Sequence, residues 1–559
     1  MKKFLTVILT IAMLFTFLSA AMISNALTYD NYQYDENSDG TVTITKYIGI
    51  DTEIEIPSSI DGKTVTSIGN NAFDNNPWLT SVVVPDSVTS IGDNAFRSNY
   101  GLSSITIGSG VKSIGEGVFY YCSSLTEVNI PDGVTSIGKD AFSCCKSLTS
   151  IQVGSGNNNY ASVDGVLFNK DKTELICYPC SKEGDVYAIP DGVTSIGAFA
   201  FWSAALKSVS IPDSVTSIGV DAFKGCDNLM RVSIPNGVQD IGNEAFAYCG
   251  SLTDVNIPDS VTSIGNSAFQ YCTALSSVTI GNGVTRIGES AFSNCSTLSS
   301  ITMPDTVTSI GYDAFFGTAY YNNDSKWEDG VLYIGNYLIK AKTYAISLSD
   351  SISGDCRIKE GTKLIADRAF YQCTTLTSVS FPASVTSIGD SAFYNCSGIT
   401  IIMLPGSVTS IGDFAFSACT GLTNATLGSG ITSIGNNIFY QCIALTSIEI
   451  PEGVTTIGDY ALSNCSSLES ITIPESVTSI SETALGDDKS LETIYGKPGS
   501  YAETYANENN YTFLEMKKTS SGMKIPENVI NILKIVVPIV VVAGVAAAIV
   551  IIILRKRRS

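Results

Sequence analysis

The chain contains no histidine, and its 32 lysines and arginines are outnumbered by 53 aspartates and glutamates. Without histidine the commonest general base and the commonest metal ligand are gone, so triads built on imidazole are excluded. The formal charge is −21, and setting aside the six basic residues Lys2, Lys3, Arg555, Lys556, Arg557 and Arg558 leaves −27 on the stretch between them. A surface of that sign repels phosphate backbones and anionic lipid headgroups, so nucleic acid is not expected as a partner. Also missing are paired carboxylates distinct from the repeat, a nucleophile elbow and a phosphate-binding glycine loop. No enzyme, no catalytic or metal site and no cofactor is expected.

What is present begins with two apolar ends. Lys2 and Lys3 precede an apolar stretch over residues 4–18 and then small residues ending at Ala26, which reads as a signal peptide over 1–26. Residues 535–554 carry no charge, and at about 1.5 Å per residue they span a hydrocarbon core of about 30 Å. A single transmembrane helix is expected over 530–554, with Pro538 tolerated in its first turn. The basic cluster at 555–559 then forms a cytoplasmic tail, which places the long N-terminal part outside the cell. No LPxTG sorting signal precedes the span, so the helix itself is the expected anchor.

Between these ends the chain repeats. Ile-Gly recurs every 23 residues at Ile68, Ile91, Ile114 and Ile137, then in two further runs from Ile196 to Ile310 and from Ile388 to Ile457. Degenerate copies at Ile365 and Ile480 bring the count to sixteen. In the copy beginning at Leu125, Val128 and Ile130 alternate with polar Asn129, as in a short strand with one buried face. Pro131 stops that strand, Val134 and Ile137 turn inward beside Gly138, and Ala141 and Phe142 close the far side. One such coil cannot bury its apolar groups alone, but stacked coils can. At about 4.8 Å per coil, sixteen coils make a rod or arc of roughly 75 Å. The fold class expected is thus a repeat solenoid of leucine-rich-repeat type, β-rich, with short turns or helical pieces on the far side. It occupies 61–513, capped by 27–60 and by the degenerate copy around 481–513, with a polar stalk at 514–529.

The consensus L-x-x-V-x-I-P-x-x-V-x-x-I-G-x-x-A-F-x-x-C over about residues 60–495 closely resembles the BspA-like, or Treponema pallidum-type, leucine-rich repeats. The segments at 39–45 and 164–168 resemble stretches that recur in that family. The resemblance implies a surface protein of a bacterium or protist, of a kind in which several members act as adhesins. On that footing the expected function is protein binding or cell adhesion through an extended solenoid surface. The alternative is a cell-envelope structural or polysaccharide-binding protein. The partner is an extracellular protein or glycan.

Eleven of the fifteen cysteines, from Cys122 to Cys465, occupy one repeat position and are expected to stack as small buried apolar residues. A parallel stack aims their Cβ bonds alike, which does not favour disulfides. Cys177 and Cys180 have C-x-x-C spacing, read as a local disulfide or two idle thiols. Residues 35–40 mimic the start of a calcium loop, but Lys46 stands where a bidentate Glu belongs, so a turn is expected. The outward strand positions, such as Thr80, Ser103, Thr126, Ser276 and Thr446, form a Ser/Thr face that suits either cross-strand pairing or docking of an extended ligand.

Two places break the period: 59 residues separate Ile137 from Ile196, and 55 separate Ile310 from Ile365. The inserts, near 154–190 and 317–360, contain hairpin-like segments at 164–179 and 329–341. Insertions on one face of a solenoid are frequent binding sites. Tyr160, Phe168, Tyr178, Tyr320, Tyr321, Trp327, Tyr333 and Tyr337 are therefore the candidate binding residues.

Overall fold

The computed structural model describes residues 27–343, 352–486 and 490–516. Each coil contributes to two separate parallel ladders of short strands, and turns connect them. The strand Glu127–Ile130 alternates exposed and buried residues, so Val128 and Ile130 enter the core while Glu127 and Asn129 face solvent. It pairs with Ser150–Val153 with Val128 opposite Ile151, and each side chain thus lands on its copy one repeat later. The second ladder is built from two-residue strands: Ser113–Ile114 lies between Ser90–Ile91 and Ser136–Ile137.

Local chemistry explains the consensus around this second ladder. On many coils the threonine before the two-residue strand spends its hydroxyl on the carbonyl of the coil behind: Thr89 donates to Thr66 O at 3.1 Å and Thr285 to Thr262 O at 3.2 Å. The glycine serves coil-to-coil contact, since a Cβ on Gly115 would lie 2.6 Å from the Asp93 amide nitrogen. The tight corner expected at glycine falls elsewhere. Two residues flanking each Ala-Phe pair take left-handed backbone, as at Ser290 (φ 54°) and Asn294 (φ 60°). The far side is consequently made of turns, and the only α-helix among the described residues, Tyr501–Glu508, lies at the C-terminal end.

Inside, the phenylalanines form a column. From Phe201 through Phe223, Phe246, Phe269 and Phe292 to Phe315 successive ring centroids are 4.6–5.5 Å apart and ring planes differ by at most 10°. Stacked pairs of this kind contribute about 0.5–1.5 kcal/mol each beyond the area they bury.

The core is not one column but three blocks, and the two inserts are the walls between them. The strand Val166–Asn169 sends Leu167 into the first block and Val166 and Phe168 into the second. In the same way Val331–Ile334 sends Leu332 and Ile334 into the second block and Val331 and Tyr333 into the third. Both strands are buried on both faces, and this corrects the expectation of inserts displayed on one face. Each insert also supplies a rung: Leu175 pairs with Ile196, and Leu338 with Ile365. The segment expected as a cap does so too, with Ile44 opposite Ile68, so sixteen rungs become nineteen.

At the N-terminal end Leu27–Tyr29, Tyr32–Glu36 and Val42–Tyr47 form an antiparallel cover. At the other end Ala502, Tyr505 and Ala506 of the helix join the third block. The strand Thr512–Glu515 runs past residue 513 and takes the first two positions assigned to the stalk. Among the described residues no helix is long and apolar enough to cross a membrane. The signal peptide, the transmembrane helix and the tail lie outside the described residues.

Candidate functional site

Three features were candidates for chemistry or recognition: the cysteine column, the Ser/Thr face and the inserts. All eleven column cysteines are buried, and all fifteen cysteines are unbridged. The column has a polar task that its composition does not announce. Cys122, Cys249 and Cys272 each donate from Sγ to the carbonyl oxygen of the phenylalanine one coil behind, at 3.1 Å. At one coil without the cysteine another donor serves, as Asn99 Nδ2 reaches Phe73 O at 2.9 Å; Thr318, at the same repeat position, instead donates to Phe315 O of its own coil at 2.9 Å. Burial pushes the Cys122 and Cys419 thiols up to about 12, which makes these two inert rather than nucleophilic. No group of three or more His, Cys, Asp or Glu among the described residues is placed to hold a metal ion.

On the Ser/Thr face the first hydroxyl of each pair is largely spent within the stack. Thr80 donates to Thr52 O at 2.9 Å, Ser103 to Thr80 O at 3.1 Å and Ser276 to Thr253 O at 3.2 Å. The second residue and the one two further on stay exposed on many coils, as with Ser104 and Thr106 or Ser447 and Glu449. A ligand lying along this face meets a periodic, polar and weakly charged surface.

The eight candidate aromatics do not gather into one exposed patch. Phe168, Tyr178, Tyr321, Tyr333 and Tyr337 are buried, Phe168 and Tyr333 because their strands wall off the core blocks. Tyr178 heads the phenylalanine column, its ring 5.1 Å from that of Phe201. Tyr337 donates to Pro304 O, and Tyr333 lies beneath the Lys359 ammonium, 5.6 Å from its ring centre. Tyr160, Tyr320 and Trp327 are half-buried and also engaged: Tyr320 donates to Tyr333 O at 2.9 Å and Trp327 to Tyr321 O at 2.8 Å. Tyr160 accepts from the Ile137 amide at 2.8 Å.

That last contact marks what the residue pattern did not reveal. Beside the first insert a cleft of about 350 Å³ opens between residues 135–143 and the wall that includes Tyr160, Glu174, Ile176 and Phe199. Asp140 lies on its rim; Oδ1 is buried with no hydrogen-bond partner among the described residues. Burial, with Glu116 nearby, pushes its carboxyl up to about 6. The only hint in the sequence was the lost period after Ile137.

A solenoid of 23-residue coils with these columns defines the leucine-rich-repeat class. The chain belongs to the BspA-type leucine-rich repeat family, whose repeat region matches residues 51–172, 194–322 and 363–492. The gap at 323–362 holds most of the second insert, whereas the gap at 173–193 holds only the later half of the first. Among solved structures, a leucine-rich cell surface protein from Faecalibacterium prausnitzii is 30% identical over 86% of this chain and 96% of its own, with a TM-score of 0.26. A leucine-rich repeat protein from Eubacterium ventriosum is 24% identical over 71% and 94%, with a TM-score of 0.38. The T. pallidum leucine-rich repeat protein is 27% identical over 41% and 91%, with a TM-score of 0.27. No curated protein matches the chain.

Proposed function

We propose that this chain is a cell-surface interaction protein, anchored by its C-terminal helix, that binds extracellular protein ligands and serves in adhesion to host matrix or to other cells. The observation that carries this reading is the strand face, on which exposed polar side chains, most of them hydroxyls, recur on many coils along the stack. Such a surface suits many weak contacts to a broad partner better than capture of a small molecule. The cell surface named for the Faecalibacterium relative fits the apolar ends of this sequence. An envelope role, with the cell's own wall as partner, is the second reading, favoured by the same hydroxyl-rich face.

The test is binding of the purified chain, in detergent, to matrix proteins, mucins, epithelial cells and isolated bacterial walls. Saturable binding to host material or foreign cells is the expected result. Binding confined to bacterial wall overturns adhesion in favour of the envelope role.

A further inference from the structure

In a regular coil the main chain hands its polar groups to its neighbours. On the Ile ladder the amides of Lys112 and Gly115 donate back to Thr89 O and Ile91 O at 2.7 and 2.8 Å. On the far side the direction reverses, and the amides of Asn94 and Phe96 donate forward to Glu116 O and Val118 O at 2.8 and 3.0 Å. Both patterns stop at residues 135–142. The carbonyl oxygens of Thr135 and Ile137 and the amides of Asp140 and Phe142 have no hydrogen-bond partner among the described residues. The strand Ser136–Ile137 is the last of its sheet, and its outer edge faces the cleft beside the first insert.

We propose that this cleft takes one extended peptide segment of a protein ligand, added as a rung against the open edge at residues 135–142. The inference rests on the reading of the chain as a protein-binding scaffold and gives that reading a site. The four unpaired groups are those that an adjoining main chain satisfies in the coils before it, with acceptors and donors in the same order. Strand addition to an exposed edge draws its affinity from such main-chain bonds and its specificity from pockets for alternate side chains. The Tyr160 hydroxyl already occupies one rung position, at the Ile137 amide, which shows that the edge is within reach of a group on the insert side.

The side chains choose the peptide. Ile137 is half-buried, whereas Ile114 and Ile91, one and two coils earlier, are each 1% exposed. With Ile176 and Phe199 it makes an apolar floor for one β-branched residue. The rim carries Asp140 and Glu174 against one lining cation, Lys139. The acidic side chains of Asp140 and Glu174 at the cleft favour a lysine or arginine beside that residue. The occupant is thus an extended segment with a basic residue next to a valine, isoleucine or threonine.

The experiment uses the full chain in detergent and a fluorescein-labelled octapeptide of alternating Lys and Val, read by anisotropy. Its controls are an alternating Glu and Val octapeptide, a backbone N-methylated Lys and Val octapeptide, and soluble cell-wall polysaccharide as competitor. Ala198→Trp fills the cleft from its far wall, and Asp140→Asn removes the rim charge while keeping a residue type that tolerates the local φ of 48°. Expected are saturable binding of the Lys and Val peptide, loss of roughly tenfold or more in affinity on N-methylation or in Ala198→Trp, and a loss of about threefold in Asp140→Asn. No binding, equal binding by Ala198→Trp, indifference to N-methylation, or displacement by polysaccharide but not by unlabelled peptide each overturns the proposal. If matrix proteins or cells bind wild type and Ala198→Trp alike while the peptide binds neither, the cleft fails and the wider reading stands. If the peptide binds as expected but no matrix protein or cell does, the cleft stands and adhesion fails.

Discussion

The thiol of Cys272 donates to the carbonyl oxygen of Phe246 across 3.1 Å, 26 residues back along the chain, which is one coil and three residues. Cysteine in this column is therefore both a small apolar filler and a hydrogen-bond donor. Alanine at position 272 removes one of two donors to that buried carbonyl and leaves the Cys249 amide at 3.3 Å, at a cost of about 0.5–1.5 kcal/mol. Serine keeps a donor in nearly the same volume and should cost less. Urea melts of Cys272→Ala and Cys272→Ser measure the difference, and equal losses would show that the thiol acts by volume alone.

Because burial holds the Cys122 and Cys419 thiols in the neutral form, both should be silent to alkylation in the folded chain. Cys122 and Cys419, each pushed up to about 12 by burial, should stay unmodified by iodoacetamide at pH 8 and become reactive in urea. Mass spectrometry of tryptic peptides reads this site by site.

Asp367 sits in a line of carboxylates in which the Asp390 amide donates to Asp367 Oδ1 and the Asp413 amide to Asp390 Oδ1, at 2.8 and 2.9 Å. Burial, aided by Asp390, pushes Asp367 up to about 6 from 3.8. Between those values the folded chain holds a proton that the unfolded chain has released. This group therefore adds stability as pH falls from 6 towards 4 and withdraws it as pH rises through 6. Asp140, also at about 6, acts in the same direction. Asp367→Asn keeps the acceptor and loses the titration, so the gap in melting temperature between variant and wild type should narrow from pH 7 to pH 4. A constant gap would refute the assignment.

Ser290, at φ 54°, takes a left-handed conformation that costs an L-residue about 1 kcal/mol. Ser290→Gly should raise the melting temperature and Ser290→Val should lower it, since a β-branched side chain fits that region worst. Neither change should alter the circular dichroism of the folded chain.

Deleting one ring of the column tests how far stability is shared along the stack. Phe269, fully buried between Phe246 and Phe292, should lose about 3–5 kcal/mol on conversion to alanine. In a stack that couples only neighbours, hydrogen exchange should rise most in the coils on either side. Uniform loosening from end to end would argue for one cooperative unit.

The repeat determined most of the architecture by itself. A 23-residue period with apolar residues at set places allows no other way to bury Leu, Val, Ile and Phe than stacking each on its copy, so the solenoid and the buried cysteine column follow from spacing alone. The inserts were misread because their aromatics were weighed one by one. The unbroken apolar runs Val166-Leu167-Phe168 and Val331-Leu332-Tyr333-Ile334 carried the signal of strands buried on both faces, but a short apolar run does not say what lies on either side of it. Only the tertiary structure decided that these strands divide the core into three blocks. Only it decided that Leu175 and Leu338 continue the Ile ladder, and that the main chain at Thr135 and Ile137 is left open beside a cleft. Those outcomes depend on how a coil that has lost the period meets its neighbours in space; the period shows where it is broken but not how the broken coil packs.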